Sequence, residues 1–378
     1  MITATPAPTR VRNHDMTAAW RHIDVVLCLL VAITSILGSM MIYSATRSKE
    51  ASIPFIDKHI IFVTIGVAVM IAMAAVDYVK LRDYARLLYV LGILSLIAVL
   101  VPGIGSEHKG IRAWFDIGPF QIQPAEVAKV LVIVAVASYL GSSIEKLGAK
   151  HLVVALLMFG VPMGLIMLQP DLGTNLVFVM IAVGMFAVAG IPMRLLVALA
   201  LVGIIGVVGI LQSDTLDKYQ RDRLTTVFDS NAADSAAVYN TKQAQTAISL
   251  GGIAGKGYLQ GEYTKGGSVP EQQTDFIFTV PGEEFGFLGS SVLLLLLGGI
   301  VWRVWRTAQL ARDEVGRLIC VGVLCLFVFH IFENVGMNLG IMPVTGIPLP
   351  FVSYGGSSTI SAFACMGLVM NVHMRRFS

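Results

Sequence analysis

VPEQQTDFIFTVPGEEFGFLGSSVLLLLLGGIV, residues 269–301, joins two kinds of sequence that seldom adjoin. Its first part carries four carboxylates, Glu271, Asp275, Glu283 and Glu284. Its second part, from Ser290, is uncharged and apolar and belongs to a run long enough to cross a bilayer, which takes about 20 residues. Carboxylates at the edge of a bilayer are costly. Their meaning depends on which side of the membrane they face, so the whole chain has to be read first.

The chain has 378 residues, 56% hydrophobic and 13% charged, with a mean hydropathy of +0.77. A soluble domain averages roughly a quarter charged residues. The apolar residues come in long blocks rather than an amphipathic or alternating pattern. Ten stretches read as spans: 24–44, 59–77, 84–101, 124–141, 151–169, 174–190, 194–212, 286–305, 317–340 and 354–373. Barrel strands would alternate over about ten positions, and these blocks do not. The expected fold is an all-α polytopic membrane protein of about ten helices, with a large ordered extracellular loop before the eighth.

Orientation follows from Lys and Arg in short loops. With the N-terminus in the cytoplasm, the inner side gathers Arg10, Arg12, Arg21, Lys80, Arg82, Arg86, Lys146, Lys150, Arg194, Arg303, Arg306, Arg312, Arg317, Arg375 and Arg376. The short outer loops hold only Arg47, Lys49, Lys58, Lys109 and Arg112. Both termini are therefore expected in the cytoplasm. Residues 1–20 read as a disordered cytoplasmic tail and 21–378 as one transmembrane domain. The first span is too long for a signal-peptide core and reads as a retained helix. Residues 213–285 form a large extracytoplasmic loop, expected to be an ordered cap with amphipathic helices. The opening carboxylates then face outward.

Composition also excludes several classes. Cys28, Cys320, Cys325 and Cys365 all fall within spans, and no CxxC or HExxH pattern occurs, so neither a disulfide framework nor a zinc site is supported. A net charge of +3 without a basic, aromatic-interleaved patch gives nucleic acid no footing. No convincing internal repeat supports an inverted-repeat transporter.

Polar residues inside or beside the spans draw the eye next. GGIAGKGY (251–258) looks like a phosphate loop, but its spacing is short and no Ser or Thr follows Lys256. SYGGSS (353–358) opens the last span, where glycines could let backbone amides approach an anion or serve only as a turn. Glu126 and Lys129, three apart, share one helical face; they read as a structural ion pair or as the lining of a cavity. His330, Glu333, Asn334 and Asn338 make a second stripe, helix glue or binding surface alike. Asp275 on its own reads as a helix N-cap ahead of FIFTV. Glu283 and Glu284 suit the positive N-terminus of the eighth span.

Seven collinear segments resemble the SEDS (shape, elongation, division and sporulation) family: GIRAWFDIGPFQIQPAEVAKV (110–130), LQPDLGT (168–174), KYQRDRL (218–224), GGIAGKGYLQG (251–261), VPEQQTDFIF (269–278), EEFGFLG (283–289) and PVTGIPLPFVSYGGSS (343–358). GKGYLQG ahead of the TDFIF element is more similar to the family's elongation branch than to its division branch. The chain departs from the family pattern at Ala125, at Gln273 and at Gly261–Tyr263.

The resemblance implies a peptidoglycan glycosyltransferase of the bacterial cytoplasmic membrane that polymerises lipid II on the outer face during cell elongation. Its implied partners are lipid II, nascent glycan on undecaprenyl diphosphate, a class B penicillin-binding protein and the elongation machinery. Asp275 matches the aspartate that the family treats as the catalytic base. Matched motif positions make Arg112, Trp114, Gln123, Glu126, Lys129, Asp171, Arg221, Arg223, Lys256, Glu271, Thr274, Ser353 and Tyr354 the candidate substrate-binding residues. Arg is suited to bidentate phosphate contact. A divalent cation, magnesium or manganese, held partly by the lipid diphosphate is the other source of positive charge; no resident cofactor is assigned. The rival readings are a lipid II flippase, a scaffold that activates the cross-linking partner, and the division role.

Overall fold

The structure, a computed structural model, describes residues 20–48, 54–108, 111–118, 120–143, 147–212 and 236–377. Residues 1–19 of the predicted tail, Lys109, and the stretch of the outer loop that holds Arg221 and Arg223 lie outside the described residues. The elements in chain order are α1 (Val25–Thr46), α2 (Phe55–Ala75), α3 (Tyr78–Asp83), α4 (Ala85–Leu100), β1 (Ser106–His108), β2 (Ile111–Ile117), β3 (Phe120–Ile122), α5 (Pro124–Gly141), α6 (Ala149–Met167), α7 (Leu172–Ala189) and α8 (Met193–Gln212). They continue with α9 (Ala236–Gly251), α10 (Glu262–Lys265), α11 (Thr279–Glu284), α12 (Gly286–Leu310), α13 (Glu314–Asn338) and α14 (Gly356–Met374).

Among the described residues seven helices, α1, α2, α5, α6, α7, α12 and α13, are long and apolar enough to cross a membrane. The stretches Ala85–Leu100 and Met193–Gly203 are apolar but shorter. With α14 these correspond to the ten stretches read from the sequence. The second helix starts at Phe55 rather than at 59, so Asp57, Lys58 and His59 lie within its first turns. The chain is a multi-pass helical membrane protein.

Local chemistry sets many of the boundaries. Aspartates cap four helices: Asp24 accepts from Leu27 N, Asp77 from Val79 N, Asp171 from Thr174 N and Asp313 from Gly316 N. Each satisfies an amide the helix leaves unpaired. Pro124 opens α5, where its missing N–H is no loss. Gly190, with φ of 85°, ends α7 in the left-handed conformation that favours glycine.

Burial separates central helices from peripheral ones. The membrane window of α5 is 78% buried and that of α13 67%, against 22% for α2 and for α12. The last helix, α14, is buried along almost its whole length and packs on α2, α13 and α5. It therefore carries Ser357, Thr359, Ser361 and Asn371 away from lipid, shielded by its neighbours. At its end Asn371 donates to Met73 O and Val76 O, and Arg375 donates to Ala74 O at 3.1 Å and Ala75 O at 2.9 Å. These bonds close the turn between α2 and α3. The Asp24–Arg303 ion pair, 2.6 Å, ties α1 to α12.

The sheet was not expected. β1, β2 and β3 form an antiparallel meander between α4 and α5. IRAWFDI alternates Ile111, Ala113, Phe115 and Ile117 with Arg112, Trp114 and Asp116, the period of a strand. The outer loop, where described, holds a long helix, α9, and the short helices α10 and α11.

Candidate active site

Asp275 stands in a tight turn built on the carbonyl of Glu271. That oxygen accepts from Thr274 N and Asp275 N at 3.2 Å each, and from the Thr274 hydroxyl at 3.1 Å. Glu271 itself has φ of 50°, a strained value for a side-chain-bearing residue. Phe276, Ile277 and Phe278 are buried directly after it. This apolar triplet roots the turn in the core and leaves Asp275 half-buried at its lip. The N-cap reading of Asp275 fails: the helix that follows begins at Thr279, and its cap position is Phe278.

The polar stripe of α13 reaches this turn. Asn334 Nδ2 donates to Asp275 O at 2.9 Å and to Ile347 O at 2.8 Å. Asn338 Nδ2 donates to Asp275 O at 3.2 Å. Glu333 accepts from the Thr345 hydroxyl at 2.9 Å. The segment 345–347 therefore lies over Asp275, with Gly346 at φ of 78°. A Cβ on Gly346 would stand 3.5 Å from Asp275 Oδ2. These α13 residues bind loops, which a stripe reading alone did not reveal.

Glu126 and Lys129 do pair, Oε1 to Nζ at 2.7 Å, with exposures of 6% and 1%. Lys129 Nζ also lies 3.3 Å from His330 Nε2 on α13. An ammonium can only donate, so Nε2 accepts and the Nδ1 proton goes to Pro348 O, 3.1 Å away. The pair thus joins α5 to α13 and to the loop before α14. Beside it lies a cavity of about 20 Å³, lined by Glu126, His330, Ser353, Ser358 and Ser361 among others. That is room for one water. Gln123 links the same region to α7 and α14, donating from Nε2 to Asp171 at 3.1 Å and from its amide to Ser357 Oγ at 2.7 Å.

The opening glutamates have distinct structural tasks. Glu283, fully buried, accepts from Tyr263 N, Thr264 N and the Thr264 hydroxyl at 2.8–2.9 Å. It caps α10 from a distant point in the chain, where Gly261 at the cap position has no side chain to do so. Lys256 lies 3.5 Å from Glu262 and 3.9 Å from Glu283. Glu284 accepts from the Ser44 hydroxyl at 2.5 Å. Burial pushes its carboxyl above the usual carboxylate range, opposed by the Ser44 and Leu259 hydrogen bonds and by Arg47. Both precede α12, as the sequence says, but their partners are α10 and α1.

GGIAGKGYLQG is no phosphate loop here. Lys256 N donates to Glu283 O at 3.1 Å and Gly257 N to Glu284 O at 2.9 Å. A Cβ on Gly255 would meet Glu284 O at 2.3 Å, and one on Gly261 would meet Glu283 Oε2 at 2.7 Å. Its glycines let two segments of the outer loop lie backbone against backbone.

The remaining candidates divide by location. Thr274, Glu271 and Tyr354 gather at the Asp275 turn, Tyr354 through its amide to Gln273 O at 2.8 Å. Burial holds the Tyr354 phenol above its ordinary pKa. Ser353 accepts from Leu349 N at 2.8 Å and lines the cavity. Arg112 and Trp114 lie on β2, and Arg112 makes an accessible ion pair with Glu107 at 3.3 Å. Among the described residues no three His, Cys, Asp or Glu side chains cluster as a metal site.

Among the described residues, the polar stripe of α13 holds an acidic turn and the 345–347 segment together beside a bundle of apolar membrane helices. The FtsW/RodA/SpoVE cell cycle protein family matches residues 23–377, and the chain belongs to that family, the SEDS proteins. It is 32% identical over 355 residues to the peptidoglycan glycosyltransferase MrdB of Escherichia coli, covering 94% of each chain. It is 34% identical over 364 residues to stage V sporulation protein E of Bacillus subtilis, covering 94% of this chain and 98% of that one. Its fold is similar to that of the rod shape determining protein RodA of Thermus thermophilus, with a TM-score of 0.71, 29% identity and coverage of 95% and 99%. A chain of a peptidoglycan synthase complex that coordinates polymerization and crosslinking matches with a TM-score of 0.79, 30% identity and coverage of 94% and 99%.

Proposed function

We propose that this protein is a peptidoglycan glycosyltransferase that polymerises lipid II, with Asp275 as general base. The 4-hydroxyl of one sugar attacks the anomeric carbon of another. A C–O glycosidic bond forms, the bond to the lipid diphosphate breaks, and the hydroxyl proton passes to Asp275. Glycosidases need a second carboxyl to protonate a poor leaving group; a diphosphate leaves as a stabilised anion and does not. Positive charge must meet that anion. Arg112, in an accessible ion pair, is the cation best suited among the described candidates.

The observation that carries this reading is Asp275 itself: half-buried, on a turn rooted by Phe276–Phe278, in a chain matched by glycosyltransferases along 94% of its length. Reaction on the outer face of the cytoplasmic membrane agrees with the distribution of Lys and Arg. A flippase would need a polar route through the bundle. The polar groups of α5 and α13 are instead bonded to one another around a cavity of about 20 Å³. A class B penicillin-binding protein as partner is supported by the likeness to the synthase complex, and the elongation role by the GKGYLQG element and the likeness to MrdB.

The test is polymerisation of lipid II by the full chain with its partner, with and without chelator. Asp275→Asn should insert and fold yet lose glycan synthesis by at least about a hundredfold. Glycan chains made at the original rate would remove Asp275 from the reaction.

A further inference from the structure

One turn of α13 grips both walls of the Asp275 site. The single amide nitrogen of Asn334 spends one hydrogen on Asp275 O, 2.9 Å away, and the other on Ile347 O, 2.8 Å away. Its neighbour Glu333 holds the Thr345 hydroxyl at 2.9 Å. Between these two anchors Gly346 lies against the Asp275 carboxylate. Asn338 adds a longer bond, 3.2 Å, to the same Asp275 carbonyl and donates to Asn334 O at 2.7 Å. Glu333, Asn334 and Asn338 are all fully buried.

Helix glue would bond helix to helix. These side chains bond a rigid helix to two loops, and one of the carbonyls they hold belongs to the residue that reacts. Asn is the side chain that offers two N–H donors at this reach. Asp would present oxygens to two carbonyl oxygens, and Ala would leave both carbonyls unpaired. We propose that Asn334 is a positioning residue that sets the distance between the Asp275 turn and the 345–347 segment and so aims the Asp275 carboxylate at the acceptor hydroxyl. The proposal rests on Asp275 being the base. A displacement of about 1 Å at a reacting group lowers a rate about a hundredfold, so loosening the clamp should act on the chemical step.

The experiment uses the full chain with its partner and lipid II at varied concentration, comparing Asn334→Ala, Asn334→Asp and Asn338→Ala with the wild type. Expected is a fall in kcat of about a hundredfold in both Asn334 variants, measured per folded molecule, with KM for lipid II retained. Asn338→Ala should lose less, because the shorter bond to the same carbonyl remains. Unchanged kcat in Asn334→Ala overturns the proposal, as does a loss that follows the folded fraction. Where Asn334→Ala does not accumulate, Asn334→Asp decides by the same criteria; failure of both to fold makes the residue structural and ends the proposal. Asp275→Asn in the same assay separates the two claims. If it is inactive while the Asn334 variants are normal, only the clamp falls; if it is active, the role of the base falls.

Discussion

Lys129 Nζ lies 2.7 Å from Glu126 Oε1, one helical turn away on α5, a helix whose membrane window is 78% buried. Removing one partner strands the other in a medium that cannot solvate it. Glu126→Ala or Lys129→Ala should each destabilise the protein by about 3–5 kcal/mol, while the double substitution should lose less than the sum of the two. Unfolding in detergent measures all four corners of the cycle, and additive losses would show that the two do not act as a pair.

Arg112 separates binding from stability. Its ion pair with Glu107 is accessible to solvent, and such pairs contribute roughly 0–1 kcal/mol. Arg112→Ala should therefore leave the unfolding midpoint almost unchanged. If the guanidinium meets the lipid diphosphate, KM for lipid II should rise about tenfold, the value of one charge-assisted hydrogen bond. Kinetics with unaltered KM would send the diphosphate elsewhere.

Glu283 holds the outer cap together. Glu283→Ala would leave Tyr263 N, Thr264 N and the Thr264 hydroxyl without their acceptor, at roughly 1–3 kcal/mol for each bare donor. The cap should open before the bundle does. Limited proteolysis should cut near residues 255–268 in the variant while the membrane helices stay intact. A protease pattern identical to the wild type would mean that other contacts suffice.

Glu284 gives stability a pH dependence of defined sign. Its carboxyl titrates above the usual range because it is buried, so the folded chain holds this proton at pH values where the unfolded chain has lost it. The contribution is fully present below the unfolded value, about 4.3, and is lost as pH rises through the folded value. Glu284→Gln should flatten that part of the curve of melting temperature against pH. An unchanged slope would assign it to another group.

Much of the bundle was written in plain composition. Uninterrupted apolar blocks mark helices whatever their neighbours are, and Asp24, Asp171 and Asp313 announce helix starts one residue ahead. The strand β2 is also encoded, in the alternation of Ile111 to Ile117 before Gly118, but the long apolar blocks on either side carry the stronger signal. The acceptor roles of Glu283 and Glu284 could not be read. Their nearest apolar run is α12, whereas their partners lie about twenty residues upstream on α10 and at the far end of α1. The site was half legible: the family motif singles out Asp275, and the spacing of His330, Asn334 and Asn338 gives a face. Which loop that face holds is a tertiary fact, carried by backbone carbonyls that no side-chain pattern encodes.

The burial of α14 bears on how such a protein is made. A helix rich in Ser and Thr, with Asn371 near its end, gains little from lipid; its solvent is the other helices. His330 and Glu126 line one cavity with Ser358, Ser361 and Cys365 of α14, so without that helix both would lose a wall of their enclosure. Helix α14 is the keystone of the bundle, and a variant lacking it would stay in the membrane as an unclosed arch.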